Sequence, residues 1–559
     1  MITTPVTHLG KVSRIKQYCK DNRWFIVSIV CICVAAFLIR LVSCFWGTPL
    51  QLHPDEQVPV DYAMELLARH SYEVSTYNRP DHFEIKCDAV IFTFYSLLRY
   101  HTLPYKIASE HKMEFYVLAR LLTTVFGTAL IPLCVAYIGL LLNEQRKMLI
   151  RLSQLFTAFF VAFSAIFVQH SAYATPDIVL TFFVILFAYY QAKYLDDGNR
   201  KNLIRCAIIT GIGITIKYPA ALLCIAIAAT VVIRAITTDK KPIMIIRYGL
   251  LSVFVVGLTI FVLAPNLFTN IYQVYVHIIK ESGGSNLGAG GLGIAGNFIF
   301  YCTTLLDDLG LIVAPFFIIG LIYIIRLRGL RHLSLLTGLL FWICMSALSL
   351  HWVRWGIPFY PFYHIVAAIG MSACIQWFAS HKASKNTQFI AGILTKSIIF
   401  LIMLNTVLCG LCITKFSTLP DLRYSTREDL EKNGIRIDNT LYEAYTPFAP
   451  TDGDNLISMM SVSQDNSTLT ISSKGEKKEY LMISGITKKR VLSDNVKHPN
   501  LISVYRWLDQ HGRIVYQALS DGDYQTDMSI CKNIINSIRY LVTKHQTTGG
   551  SVLVYESPF

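Results

Sequence analysis

The chain has 559 residues, of which 53% are hydrophobic and only 15% charged, with mean hydropathy +0.46. Soluble globular chains carry roughly a quarter charged residues, so this composition excludes an ordinary soluble enzyme and points to a membrane protein. The formal charge of +14 falls mostly in short loops between apolar runs, where Lys and Arg set topology, so nucleic acid is excluded as a partner.

Residues 1–23 are basic and precede an apolar run from Trp24 to Trp46, too long for a signal-peptide core and without a clear cleavage site. They read as a cytoplasmic N-terminus followed by an uncleaved first span. Further apolar runs fall near 115–142, 148–168, 177–194, 203–216, 218–236, 245–263, 309–325, 333–350, 357–378 and 390–413, giving about eleven spans. Ala89 to Leu98 is too short to cross and reads as an interfacial or re-entrant piece. Pro219 separates the run 203–216 from its neighbour, so this pair reads as two helices at a break.

Connections carrying Arg146 and Lys147, Lys193 and Arg200, Arg234 and Lys240, Arg326 and Arg328, and Lys382 and Lys385 alternate with less basic ones. That alternation places the basic loops in the cytoplasm. Opposite them lie the large loop 47–114, the turn 169–176, the Lys217 break, the loop 264–308 and the segment 351–356. Residues 283–296, in the loop 264–308, are Gly-rich and expected to be mobile. The tail 417–559 is polar, with alternating stretches at 468–471, 480–483, 514–518 and 551–555 and helix-like ones at 427–432 and 528–543. It reads as a non-cytoplasmic α/β domain after a transmembrane domain at 24–416. Cysteines lie mostly in apolar runs, with no metal-site or disulfide spacing.

Four polar groups fall on this same non-cytoplasmic face. His53-Pro54-Asp55-Glu56-Gln57 follows the first span. Adjacent carboxylates there suit a general base or a divalent metal, and equally a helix N-terminus. His170 to Asp177 forms a short turn in which Asp177 either caps the next helix or serves the site. Lys217, flanked by Ile216, Tyr218 and Pro219, is a cation at membrane level that either snorkels or meets a lipid phosphate. Arg354, between Trp352 and Trp355, suits an interfacial aromatic belt or a phosphate fork. An acid for chemistry with cations for an anionic leaving group is the inventory for transfer from a lipid-phosphate donor. A secondary transporter with Asp177 and Lys217 as an ion-coupled pair is the alternative.

With His53 to Gln57, Arg120 in Leu118-Ala119-Arg120-Leu121, His170 to Asp177 and Gly211 to Ala220, residues 20–380 resemble the protein O-mannosyltransferase and aminoarabinose-transferase superfamily. The resemblance is to bacterial-type members, and it implies a polytopic helical membrane protein of the C-type glycosyltransferase fold. It also implies a polyprenyl-phosphate-linked sugar donor and a glycan, lipid or protein hydroxyl as acceptor. Attack opposite the phosphate would invert the anomeric centre. By the same resemblance Asp55 is the base, with Glu56 assisting or positioning. Asp177, His53 and Glu84 position acceptor or sugar, and Lys217, Arg354 and Lys86 neutralise the lipid phosphate. In a bacterium the enzyme would sit in the inner membrane. Metal dependence varies across the fold class that the resemblance implies, and a divalent metal as cofactor would fall to Asp55 and Glu56.

Overall fold

A computed structural model describes residues 22–559 except 78, 283–289, 291, 381–384, 452–459, 464–467, 472–477, 494–498, 521–532 and 545–546. The chain is a multi-pass α-helical membrane protein with a small sheet-containing region after its last long helix.

Helices run in the order α1 (Arg23–Ser43), α2 (Gln57–Ala68), α3 (His82–Tyr100), α4 (Pro104–Leu141), α5 (Lys147–Phe163), α6 (Ala165–Ser171), α7 (Pro176–Asp197) and α8 (Arg200–Ile216). They continue as α9 (Leu222–Thr237), α10 (Ile243–Leu263), α11 (Ile271–Ser282), α12 (Gly293–Leu309), α13 (Ala314–Arg326), α14 (Leu336–Ser346), α15 (Tyr360–Ser380) and α16 (Lys385–Thr418). Each apolar run expected to cross is helical. Among the described residues six helices have the length and apolarity of a span, or eight when the two bent pairs, α5 with α6 and α12 with α13, are each counted as one. The runs at 203–216, 333–350 and 357–378 are helical as well but lie outside that count. The piece at 89–98 belongs to the 19-residue α3, and the stretch 264–308 is largely helix rather than open loop: α11 and α12 flank the Gly-rich stretch, much of which lies outside the described residues.

Two devices aim these helices at the site. The first is the break at Ser164, where α5 and α6 meet at 53°. A break inside a bilayer exposes backbone groups that hydrocarbon cannot satisfy. Here the fully buried Arg40 donates to the carbonyls of Val161 (2.8 Å) and Ala162 (2.7 Å), closing the end of α5. Asp308 accepts from Ser164 Oγ (2.7 Å) and from Ile166 N–H (3.3 Å), closing the start of α6. A cation at a C-terminus and an anion at an N-terminus also match the helix dipoles. The second device joins α13 and α15, which touch through Gly320 and Gly370. A Cβ at Gly320 would land on the Val366 carbonyl and one at Gly370 on that of Phe316, a small-residue approach that fixes the segment preceding α15.

After α16 come α17 (Arg427–Lys432), β1 (Thr440–Tyr442), β2 (Met460–Val462), β3 (Leu469–Ile471), β4 (Tyr480–Ser484), α18 (Gly485–Ser493), α19 (Pro499–His511), β5 (Ile514–Ala518), α20 (Ile534–Val542) and β6 (Val552–Glu556). Four strands form a mixed sheet in the order β1-β4-β6-β5, and β2 pairs with β3 as an antiparallel hairpin. Alternation along β4 serves both faces: Leu481 and Ile483 pack with Val504, Tyr505 and Leu508 of α19, whereas Met482 packs with Val554, Leu430 and Ile435. Both faces of β4 are therefore buried, although its stretch 480–483 reads as alternating in the sequence. Arg423, itself buried and paired with Asp421 (2.8 Å), ties this region to the membrane domain by donating to the Leu52 carbonyl (3.0 Å), while also holding the Pro450 carbonyl of its own region (2.8 Å). Gln57 reaches Thr451 Oγ1 at 3.1 Å. Both ties land within a few residues of Asp55.

Candidate active site

Asp55 lies in the 3-10 turn Pro54–Glu56 at the end of the first span's connection. Pro54 has no N–H to lose at this position, and His53 Nδ1 accepts from the Asp55 N–H (3.2 Å), so the turn is fixed before either carboxylate is placed. Burial pushes the His53 imidazole down to about 3, so it is neutral, with its proton on Nε2. The ring also packs on Tyr173 at 4.9 Å between centroids.

The two carboxylates of the motif then diverge. Asp55 is one-quarter exposed and lies between two guanidinium groups, with Oδ1 3.0 Å from Arg79 and Oδ2 bonded to Arg354. Glu56 is fully buried and bound by Arg120 in a two-point fork, both contacts at 2.7 Å. Its Oε1 also accepts from Ala174 N–H (3.0 Å), while Arg120 donates to the carbonyls of Cys44 (2.9 Å) and Trp46 (2.7 Å). Glu56 therefore locks the motif onto the end of α1 and the turn before α7. The Asp-Glu pair does not converge on one point, and among the described residues no three His, Cys, Asp or Glu side chains are grouped to hold a metal.

Asp177 and Lys217 come together as a 2.6 Å ion pair, joining the start of α7 to the end of α8. Pro219 stops α8, and Lys217 takes an extended conformation at the break. The Asp81 N–H donates to the Ile216 carbonyl (3.2 Å), and Asp81 pairs with Arg79 at 2.7 Å. Ion pairs thus run from Arg354 through Asp55 and Arg79 to Asp81, whose backbone N–H bonds the residue before Lys217 of the separate Asp177–Lys217 pair. Arg79 and Asp81 were missing from the sequence expectations. Their only signal was an Arg-Pro-Asp triplet in a loop, with nothing to say which residues it would meet. Asp81 adopts φ 45°, an uncommon left-handed conformation that concentrates at functional positions.

Two expected residues are placed differently. Lys86 donates to the Leu263 carbonyl at the end of α10 and lies 3.2 Å over the Tyr72 ring. It satisfies a helix terminus at the rim instead of joining the ion network. Glu84 is fully buried one helical turn from Asp88, and neither carboxyl has a hydrogen-bond partner among the described residues. Burial, with added repulsion from Asp88 in the case of Glu84, raises both well above the ordinary carboxylate range. A raised folded-state value means these groups favour the fold fully below their unfolded pKa and progressively oppose it as pH rises. Glu84→Gln and Asp88→Asn should therefore raise the thermal midpoint at pH 8 and leave it unchanged near pH 4. Equal shifts at both pH values would show that the two carboxyls are ionised or paired in the native protein.

Residues 117–264 match the family model described as dolichyl-phosphate-mannose-protein mannosyltransferase. No curated protein matches the chain in sequence. The oligosaccharyltransferase of Archaeoglobus fulgidus, solved with a tethered acceptor peptide, is similar in structure with a TM-score of 0.52 at 10% identity, over 92% of this chain and 75% of that one. The chain has the C-type glycosyltransferase fold. ArnT from Cupriavidus metallidurans, solved with undecaprenyl phosphate, has a TM-score of 0.49 at 11% identity, over 95% of this chain and 98% of that one. Within the C-type fold, the matched residues 117–264 contain Arg120, Asp177 and Lys217 but neither Asp55 nor Arg354.

Proposed function

We propose that the protein transfers a monosaccharide from a polyprenyl-phosphate donor to a hydroxyl of a glycan, lipid or protein, at the non-cytoplasmic membrane face and with inversion. The observation that carries this reading is the placement of Asp55: a partly exposed carboxylate held between Arg79 and Arg354, with Arg79 paired to Asp81, whose backbone bonds Ile216 beside Lys217. The match of residues 117–264 to a family named for a lipid-phosphate sugar supports the donor class.

Asp55 removes the acceptor proton as the hydroxyl oxygen attacks the anomeric carbon. The bond from that carbon to the phosphate oxygen breaks, and its electrons leave with the polyprenyl phosphate. Arg354 and Lys217 neutralise the departing phosphate, the first as a fork and the second as a point charge. In the free protein both cations are engaged by carboxylates. An arriving phosphate competes for Arg354 and so frees Asp55 for the acceptor, which makes the base competent once the donor is bound. His53 fixes the turn, Asp177 orients the sugar or acceptor together with Lys217, and Glu84 offers a neutral carboxylic acid as a hydrogen-bond donor. Lys86 meets the phosphate on its way in from the lipid side. Glu56 acts through Arg120, as a positioning residue and not as a second base. In this reading residues 1–23 are cytoplasmic, 24–416 form the catalytic membrane domain and 417–559 form a non-cytoplasmic domain. In a bacterium the host membrane would be the inner one.

Lys217→Ala and Arg354→Ala should each lower donor kcat/KM about ten- to a hundredfold, the range for a lost charge-assisted hydrogen bond, while acceptor KM changes little. Initial rates against varied polyprenyl-phosphate sugar measure this. Unchanged donor kcat and KM in both variants would remove the phosphate-clamp reading.

A further inference from the structure

The segment after the last span contributes one cation to this neighbourhood that the reaction above leaves unused. Arg490 lies on α18, and its guanidinium is 5.7 Å from the ring centroid of Trp352 and 5.0 Å from that of Tyr445. The guanidinium of Arg354 is also 5.7 Å from the same Trp352 ring. Two like charges thus share one indole. Among the described residues Arg490 is in no ion pair, whereas Lys488, two residues earlier, is paired with Asp509. Its hydrogen-bond contact is a long one, 3.4 Å to the Tyr445 hydroxyl.

Two further donors point the same way. Trp352 Nε1 and Arg354 Nε are buried without an acceptor among the described residues. Buried donors in native proteins are nearly always matched, so unmatched ones beside two arginines mark a place for an acceptor that is not part of the chain. The scaffold holding Tyr445 is built rigidly. Glu443 accepts from Tyr505 Oη (2.6 Å) and from Ser484 N–H (3.0 Å), and Thr487 Oγ1 donates to the Ala444 carbonyl (3.2 Å). Tyr445 itself sits at φ 64°, a strained conformation for a bulky side chain, which persists only where the surroundings impose it.

We propose that Arg490 and Tyr445 of the C-terminal region complete, with Trp352 and Arg354, a site for a phosphate group. The proposal rests on the glycosyltransferase reading for its source of phosphate: either the donor's lipid phosphate or a phosphate carried by the acceptor. Guanidinium pairs suit phosphate because each presents parallel donors to its oxygens, and the indole lies near both without adding a competing anion. The C-terminal region then acts as part of the binding site.

The test uses the full-length protein in nanodiscs, with binding measured in the absence of turnover. Arg490→Ala should weaken binding of polyprenyl phosphate about tenfold or more, at an unchanged thermal midpoint, and Arg490→Lys should recover part of the loss. If polyprenyl phosphate binds normally and Arg490→Ala instead loses binding of phosphatidic acid to the protein already saturated with polyprenyl phosphate, the site stands and the phosphate is the acceptor's. If Arg354→Ala weakens polyprenyl phosphate binding and Arg490→Ala changes neither ligand, the proposal falls and the glycosyltransferase reading survives. Wild-type protein that binds neither ligand would overturn both.

Discussion

Asp55→Asn should lower the rate of sugar transfer by ~10²- to 10⁴-fold, the range supplied by a positioned general base. It should do so without weakening the donor. Asparagine has nearly the same shape and keeps an oxygen to accept from Arg79 or Arg354, so the turn at Pro54–Glu56 and its His53 contact persist. What it lacks is basicity. Because Arg354 is no longer drawn to a full negative charge, polyprenyl phosphate should bind this variant as tightly as the wild type or more tightly. The expected signature is therefore a fall in kcat with donor KM equal or lower, together with an unchanged thermal midpoint. Full transfer activity in the asparagine variant would refute the assignment of the base. A large rise in donor KM with kcat preserved would instead give Asp55 a binding role.

The sequence reading and the structure part company in an instructive place. Length and apolarity located the long apolar helices except α12, which lies in the stretch 264–308 expected to be a loop, and the alternating stretch at 514–518 corresponds to β5, because such patterns are local. The Lys217 break was legible from Pro219 for the same reason. The break at Ser164 carried no such mark. Neither Pro nor Gly interrupts the run, and the bend depends on Arg40 and Asp308, which lie more than 120 residues away on either side. The site divides in the same way. Asp55, Asp177, Lys217 and Arg354 stand out because a charge next to an apolar run is costly wherever it occurs. Their pairings do not stand out: Asp55 meets Arg354 across 299 residues, and Glu56 meets Arg120 across 64. The sequence offers Glu56 as either assisting or positioning, because it shows only that Glu56 adjoins Asp55. In a tight turn adjacent residues point apart, and the Arg120 fork that supports a positioning role for Glu56 is visible only in three dimensions.

That role can be separated from catalysis. Removing one partner of a buried, hydrogen-bonded ion pair leaves an uncompensated charge and costs ~3–5 kcal/mol. Glu56→Gln and Arg120→Gln should each lower the thermal midpoint of the purified protein by several degrees, and activity should be lost along with the fold. Replacing both partners by apolar residues, Glu56→Leu with Arg120→Met, removes both charges together and should recover much of that stability. It also removes the fork on Glu56, the contact to Ala174 N–H and the contacts to the Cys44 and Trp46 carbonyls, which together hold the turn carrying Asp55. The double variant should therefore be folded yet slow, with kcat reduced and donor affinity, set by Lys217 and Arg354, retained. A second catalytic base would behave differently. If Glu56 acted on the acceptor directly, Glu56→Gln would keep the wild-type thermal midpoint while losing turnover, and pairing it with an Arg120 change would restore nothing. The anchor reading depends on the single variants unfolding more readily and the double variant regaining its fold.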